Sequence, residues 1–277
     1  MNPSSTATPA GATLRVPDAT LHYEVRGQGP LVALVGAPMD ATSFAPLADL
    51  LAAGHTVLTT DPRGVGRSPV DDPGGDSTPE RRADDLARLV AHLDAGPAVV
   101  LGSSGGAVTA LALAQAHPER VATVVAHEPP LTELLDDREE QHARTDAIIA
   151  AYLAGDVTGA WAMFLDQAGV TLPEHVFEEM FGGARDPHEV ANQDHWFAHE
   201  LRATTRWRPD VAALRDGPVH IVVGLGEESR GQFCDRTSTA LAAALDIEPT
   251  AFPGGHTGFM EDPGAFATRL RAVLRAS

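Results

Sequence analysis

The sequence predicts an α/β architecture: a mostly parallel eight-stranded sheet flanked by helices, with an all-helical segment inserted into it. Three observations lead there. Short apolar runs such as PLVALVG and PAVVLGS alternate with segments of helical periodicity. Most of these runs are continuously apolar, as strands covered on both faces must be. Residues 131–210 break the alternation and hold helical segments with no convincing strand.

Taken in order, residues 12–17 and 20–26 alternate apolar and polar positions around a turn and read as an antiparallel pair. PLVALVG (30–36) is the first buried strand. ATSFAPLADLLAAG reads as a helix stopping at Gly54, and HTVLTTD as the next strand. TPERRADDLARLVAHLD reads as a helix with an N-cap at Ser77 or Thr78 and acidic and basic residues spaced along one face. PAVVLGS, GGAVTALALAQAHP and RVATVVAHE follow as strand, helix and strand. Beyond residue 210, PVHIVVG, CDRTSTALAAALD, IEPTAFPG and DPGAFATRLRAVLRA repeat strand, helix, strand and helix.

The helices between hold all three tryptophans, Trp161, Trp196 and Trp207. The expected organisation is a disordered tail over 1–11, a sheet core over 12–130 and 211–277, and a helical cap over 131–210. Inserted helices of this kind often cover a site. Within them Phe164, Phe177, Met180 and Phe181 recur at helical spacing, first as a core face and only second as a pocket wall.

A chain of 277 residues suits one large domain with an inserted subdomain. Its 43% hydrophobic and 21% charged residues fit a soluble globular protein, and no run reaches the length of a membrane span. The N-terminal residues lack the basic and apolar regions of a signal peptide, so a cytoplasmic location is expected. The single cysteine, Cys234, excludes an internal disulfide and suits a reducing compartment. It lies in GQFCDR without a His or Asn pattern around it, and reads as a packed or partly exposed free thiol rather than a nucleophile. The net charge is −18, and all 20 basic residues are arginine. Such a surface repels nucleic acid and anionic membrane. The expected partner is therefore a small-molecule substrate, with a homodimer left open.

Chemistry concentrates at Gly102-Ser103-Ser104-Gly105-Gly106, a G-x-S-x-G motif with a strand before it and a helix after it. A serine at such a corner projects its hydroxyl above the sheet edge from a strained backbone, and glycines keep side chains out of the tight turn. The helix N-terminus offers free N–H groups to a developing oxyanion. Ser104 is the candidate nucleophile and Ser103 its flanking residue. A nucleotide-binding turn is the alternative, but no G-x-G-x-x-G is present, and a chain without lysine has no Walker A motif. A serine needs a base. Of the twelve histidines, only His256 sits in a Gly-rich loop between the last strand and the last helix. His55, His92, His117 and His220 read as surface or strand-end residues.

The chain resembles the α/β-hydrolase family over about residues 12–275, through GPLVALVGAP, DPRGVGRSP, GSSGG, PVHIVVG and FPGGHTGF. The resemblance implies nucleophile, acid and base in that chain order, with His256 as base and no cofactor. It implies an oxyanion hole from the amides of Gly105 and Ala37. Where the family usually has His-Gly, this chain has Val35-Gly36. The family's usual acid is an aspartate after the strand PVHIVVG. Here the chain reads GLGEES, with Glu227 at the matching spacing and Glu228 beside it. In one branch of the haloalkane dehalogenases, which resemble this chain in fold, the acid instead follows the strand after the nucleophile helix. That position is Glu128, where a glutamate between a buried strand and Pro129-Pro130 is costly unless it is paired or faces the site. Glu128 ranks ahead of Glu227, and Glu227 ahead of Glu228. Its structural alternative is to anchor the first cap helix.

The implied activity is that of a cofactor-free serine hydrolase acting on an ester, lactone or related carbonyl through an acyl-enzyme. The aromatic cap implies a substrate with an apolar part, with Met39, Trp196 and His199 in the pocket. Epoxide hydrolase and dehalogenase chemistry is disfavoured, because those relatives use an aspartate nucleophile. Perhydrolase or haloperoxidase-like chemistry, carbon–carbon bond hydrolysis and a biosynthetic tailoring step stay open on the same fold. So does a ligand-binding protein with little turnover. His195 and His199 stand four apart, but outside an H-E-x-x-H motif, and no metal is expected. Asp61-Pro62-Arg63-Gly64 reads as a structural brace.

Overall fold

The computed structural model describes residues 11–183 and 186–276. The expected tail lies outside them except for Gly11, which opens the first strand. The chain begins with β1 (Gly11–Val16), β2 (Ala19–Arg26), β3 (Leu31–Val35), α1 (Ala45–Leu51), β4 (Thr56–Thr60) and α2 (Pro79–Leu93). It continues with β5 (Ala98–Ser103), α3 (Gly105–Ala116) and β6 (Val121–His127). Helices α4 (Arg138–Leu153), α5 (Val157–Ala168), α6 (Glu174–Phe181), α7 (Pro187–His195), α8 (Leu201–Thr205) and α9 (Val211–Asp216) follow without a strand between them. The last elements are β7 (His220–Gly226), α10 (Phe233–Leu245), β8 (Thr250–Phe252), α11 (Gly258–Glu261) and α12 (Pro263–Ala276).

The eight strands form one sheet in the order β1-β2-β4-β3-β5-β6-β7-β8. β1 and β2 pair antiparallel with each other and β2 antiparallel with β4, while the remaining neighbours are parallel. The period of two along each strand sorts side chains between two cores. Ala33 and Val35, Val100, and Val124 and Ala126 join the core under α2, α3 and α10. Val32 and Leu34, Leu101, and Val125 join the core under α1, α11 and α12, with Phe44, Phe252, Phe259 and Phe266. Helix α3 is buried along almost its whole length, as its uniformly apolar sequence requires. No helix among the described residues is long and apolar enough to cross a membrane.

Two elements depart from expectation. The last strand, read from IEPTAFPG, is only three residues long, because Pro249 and Pro253 flank it and proline cannot donate to a ladder. The helix read from NQDHWFAHELRATTRW is interrupted by a π turn at Trp196–Glu200, in which Trp196, Phe197 and Glu200 are buried. These aromatics build a separate small core. Trp161 stacks on Phe181 at 4.7 Å and on Trp196 at 5.3 Å, and Tyr152 stacks on Phe197 at 4.0 Å. Phe164 meets Trp196 edge-on and Phe177 tilts against Phe181, but Met180 points outward and is exposed.

The helices between β6 and β7 are tied to the sheet domain by polar contacts. Gly66 N–H donates to the Asn192 side chain at 2.8 Å, and Ser77 N–H to the His199 carbonyl at 2.9 Å. The buried Arg82 guanidinium donates to Thr109 at 2.9 Å and to Thr204 at 2.8 Å, and lies 3.6 Å from the buried Glu200 carboxylate. Asp61-Pro62-Arg63-Gly64 does brace the sheet edge: Arg63 pairs with Asp85 at 2.7 and 2.8 Å, and Asp61 accepts from Ala41 N–H at 3.0 Å.

Arg82 joins the sheet domain to these helices through Thr204 and Glu200. Removing one member of a buried ion pair strands the other, and Arg82→Met is expected to cost about 3–5 kcal/mol in urea unfolding. The double variant Arg82→Met/Glu200→Leu should recover part of that loss, because no buried carboxylate is then left uncompensated. Equal stability of the single and double variants would contradict this role.

Candidate active site

The β5–α3 turn is closed by contacts that leave no room for side chains. A Cβ on Gly102 would lie 2.3 Å from the Gly106 carbonyl oxygen, and one on Gly106 would lie 2.2 Å from that of Val35. Between them Ser104 adopts φ 55° and ψ −124°, a region L-residues rarely occupy. Its N–H donates to the His127 carbonyl at 3.0 Å, which ties the turn to the end of β6. The Ser104 side chain is partly exposed, whereas that of Ser103 is buried with its hydroxyl 3.4 Å from His127 Nδ1. Burial pushes the His127 imidazole down to about 4 against the opposing charge of Glu128, so the ring is neutral near pH 7.

Ala37 stands against this turn. A Cβ on Gly105 would lie 2.7 Å from the Ala37 carbonyl oxygen and 3.3 Å from the Thr204 methyl group. The Gly105 N–H is in the first turn of α3 and has no partner inside the helix. Met39 is partly buried against Gly36 and the core around Phe44. Trp196 belongs to the aromatic core of the helices between β6 and β7, and His199 Nδ1 sits 3.3 Å from Asp76. His195 packs over Gly64, and among the described residues neither it nor His199 belongs to a group that could hold a metal ion.

The structure separates the three glutamates. Glu128 follows β6, is fully buried, and has φ 54°. Its N–H donates to the Gly224 carbonyl at 3.0 Å. One carboxylate oxygen accepts from Gly226 N–H at 2.8 Å, and the other lies 2.6 Å from His256 Nδ1. Burial would raise this carboxyl, but the His256 hydrogen bond and the flanking imidazoles outweigh it and hold it at about 2. Glu227 and Glu228 are exposed, and their backbone N–H groups bind the Phe252 and Gly254 carbonyls. The local signal for Glu128 was its place between a buried strand and two prolines.

His256 lies on the loop between β8 and α11, with its side chain about one-third exposed at 32%. Burial would lower its imidazole, but Cys234 and Glu128 outweigh it and shift it well above the ordinary histidine value. Nδ1 faces Glu128, and Cys234 also lies against the same imidazole. Among the described residues no hydrogen bond joins the Ser104 hydroxyl to His256. In free enzymes such contacts commonly tighten only around substrate. The sequence reading missed Arg82, Thr204 and the approach of Cys234. One donor atom each of Glu128, Cys234 and His256 lies within 4.8 Å of the others. Only the tertiary fold brings α10 to that point, so no local signal marked it.

The carboxylate of Glu128 favours the protonated imidazole, and its removal must lower the His256 value. Ring-proton NMR titration is expected to show His256 titrating above 6.5 in the wild type, and lower by about 1 unit or more in Glu128→Gln. An unchanged His256 titration in the variant would contradict the pairing.

Similarity to known proteins agrees with the fold. Residues 29–160 match the family profile described as alpha/beta hydrolase fold. The chain is 33% identical over 275 residues to YraK, an uncharacterized hydrolase of Bacillus subtilis (strain 168), covering 95% of each chain. It is 28% identical over 270 residues to a zearalenone hydrolase of Bionectria ochroleuca, covering 92% of this chain and 94% of that one. The structure of a thermophilic esterase from Thermogutta terrifontis superposes with a TM-score of 0.67 at 24% identity, over 98% of this chain and 99% of that one. With its eight-stranded, mostly parallel sheet and these relatives, the chain belongs to the alpha/beta hydrolase fold family.

Proposed function

We propose that this hydrolase is a cofactor-free serine hydrolase, and that Ser104, His256 and Glu128 are its nucleophile, base and acid. The observation that carries the reading is the 2.6 Å contact of the buried Glu128 carboxylate with His256 Nδ1, on the loop after the last strand, in a chain that also holds Ser104 at positive φ. In this mechanism His256 Nε2 takes the proton of Ser104 as its oxygen attacks a carbonyl carbon. Glu128 keeps the imidazole oriented and stabilises the imidazolium. The N–H groups of Ala37 and Gly105 hold the oxyanion, aided by the N-terminal end of α3. His256 returns the proton to the leaving alcohol, and water then attacks the acyl-enzyme by the same route.

Residues 131–210 would serve as the cap. The contact of the Thr204 methyl group with the space over Gly105 supports that role, and so does the polar clamp around Arg82. The substrate would be an ester, lactone or related carbonyl with an apolar part. Similarity to the zearalenone hydrolase makes zearalenone the first named compound to test beside p-nitrophenyl esters. The single cysteine and acidic surface fit a cytoplasmic enzyme acting on small molecules.

Steady-state assays on these substrates test the roles. Ser104→Ala is expected to lose at least about 1,000-fold in kcat. Glu128→Gln should lose up to about 10,000-fold, with Glu227→Gln close to wild type. Turnover that survives in Ser104→Ala would overturn the nucleophile. A larger loss in Glu227→Gln than in Glu128→Gln would overturn the acid.

A further inference from the structure

Cys234 lies in the first turn of α10, partly exposed, with no disulfide partner. The proposed reaction does not use it. Yet its sulfur, one His256 ring nitrogen and one Glu128 oxygen all fall within 4.8 Å of one another. Three elements distant in sequence supply them: the turn after β6, the start of α10 and the loop after β8.

Thiolate, imidazole and carboxylate together form a donor set suited to zinc-class divalent ions. A tetrahedral zinc site has Zn–S near ~2.3 Å and Zn–N and Zn–O near ~2.0–2.2 Å, which sets its donor atoms about 3.3–3.6 Å apart. The 2.6 Å contact between Glu128 and His256 would open by less than ~1 Å, and a gap at the 4.8 Å limit would close by little more than ~1 Å. Rotamer adjustments of a partly exposed cysteine and a loop histidine cover such distances. Glu128 is already fixed by Gly226 N–H and needs to move least.

We propose that Glu128, Cys234 and His256 form a three-ligand binding site for a zinc-class divalent cation, with a water as fourth ligand, and that occupation of this site switches the hydrolase off. The ion displaces the proton shared by Glu128 and His256, takes Cys234 as its thiolate with the thiol proton released to solvent, and holds the imidazole against the sulfur. His256 then has no free role as base for Ser104. The inhibitory half of the proposal rests on the serine hydrolase reading above, whereas the binding half does not.

Cobalt(II) is the probe that separates the two. Untagged, chelator-treated protein is titrated with Co2+ and followed by absorption, and with Zn2+ by calorimetry, for wild type, Cys234→Ser and Cys234→Ala. The expected result for wild type is one equivalent of Co2+ with a thiolate-to-cobalt charge-transfer band in the near ultraviolet. That band should be absent from both variants, and their Zn2+ affinity weaker by at least about tenfold. Each protein's ester turnover is then compared with and without Zn2+. Wild type should lose its activity and recover it on adding EDTA, while Cys234→Ser should be much less sensitive. Absence of the charge-transfer band in wild type, or equal Zn2+ affinity in wild type and both variants, overturns the site. A band without any wild-type turnover leaves the metal site standing and removes the serine hydrolase reading. Turnover without a band does the reverse.

Discussion

The Val35 carbonyl oxygen stands where a Cβ on residue 106 would be 2.2 Å away, and the site geometry depends on this close approach of β3 to the β5–α3 turn. Only glycine is tolerated at 102 and 106, so the turn is tight enough to hold Ser104 at φ 55°. Such a conformation costs about 1–3 kcal/mol and persists only where its surroundings over-determine it. Here they do: Ser104 N–H is bound to β6, and α3, which starts one residue later, is buried in the main core. Strand pairing and the burial of α3 therefore hold Ser104 in its strained conformation.

The second constraint is a buried negative charge. A carboxylate without exposure is expensive unless every lone pair that matters is engaged. Glu128 meets this condition with a backbone N–H from β7 on one oxygen and His256 on the other. The first contact depends on glycine at 226, where a Cβ would press to 2.9 Å from that carboxylate oxygen and 2.7 Å from the Gly254 carbonyl. The left-handed backbone at Glu128 turns the chain out of the sheet and into the helices between β6 and β7. One residue thus shapes the entry to those helices and orients the imidazole, so the anchoring role and the proposed acid role coincide.

Much of this was legible in the residues. Continuous apolar runs gave the parallel strands, and Gly-x-Ser-x-Gly between a strand and a helix marked the turn. His256 was distinguished by its Gly-rich loop. The choice among Glu128, Glu227 and Glu228 was not settled there, because all three follow strands that end at the same sheet edge. Spacing favours Glu227, but its carboxylate faces solvent while its backbone holds the β7–β8 connection. The short β8, the π turn at Trp196–Glu200 and the exposed Met180 escaped for a related reason: each is decided by tertiary packing rather than by local periodicity. Nothing in the sequence singles out Arg82 among the charges of its helix. Its burial against Thr109, Thr204 and Glu200 exists only once the helices between β6 and β7 are docked.

The proposed chemistry stands or falls with Ser104 as an activated nucleophile. Intact-mass spectrometry after incubation with a fluorophosphonate tests it most directly, on wild type and on folded Ser104→Ala. The expected result is a single phosphonyl adduct on wild type, mapped to Ser104 by peptide analysis, and none on the variant. An unmodified, folded wild type, or an adduct retained in Ser104→Ala, would contradict it.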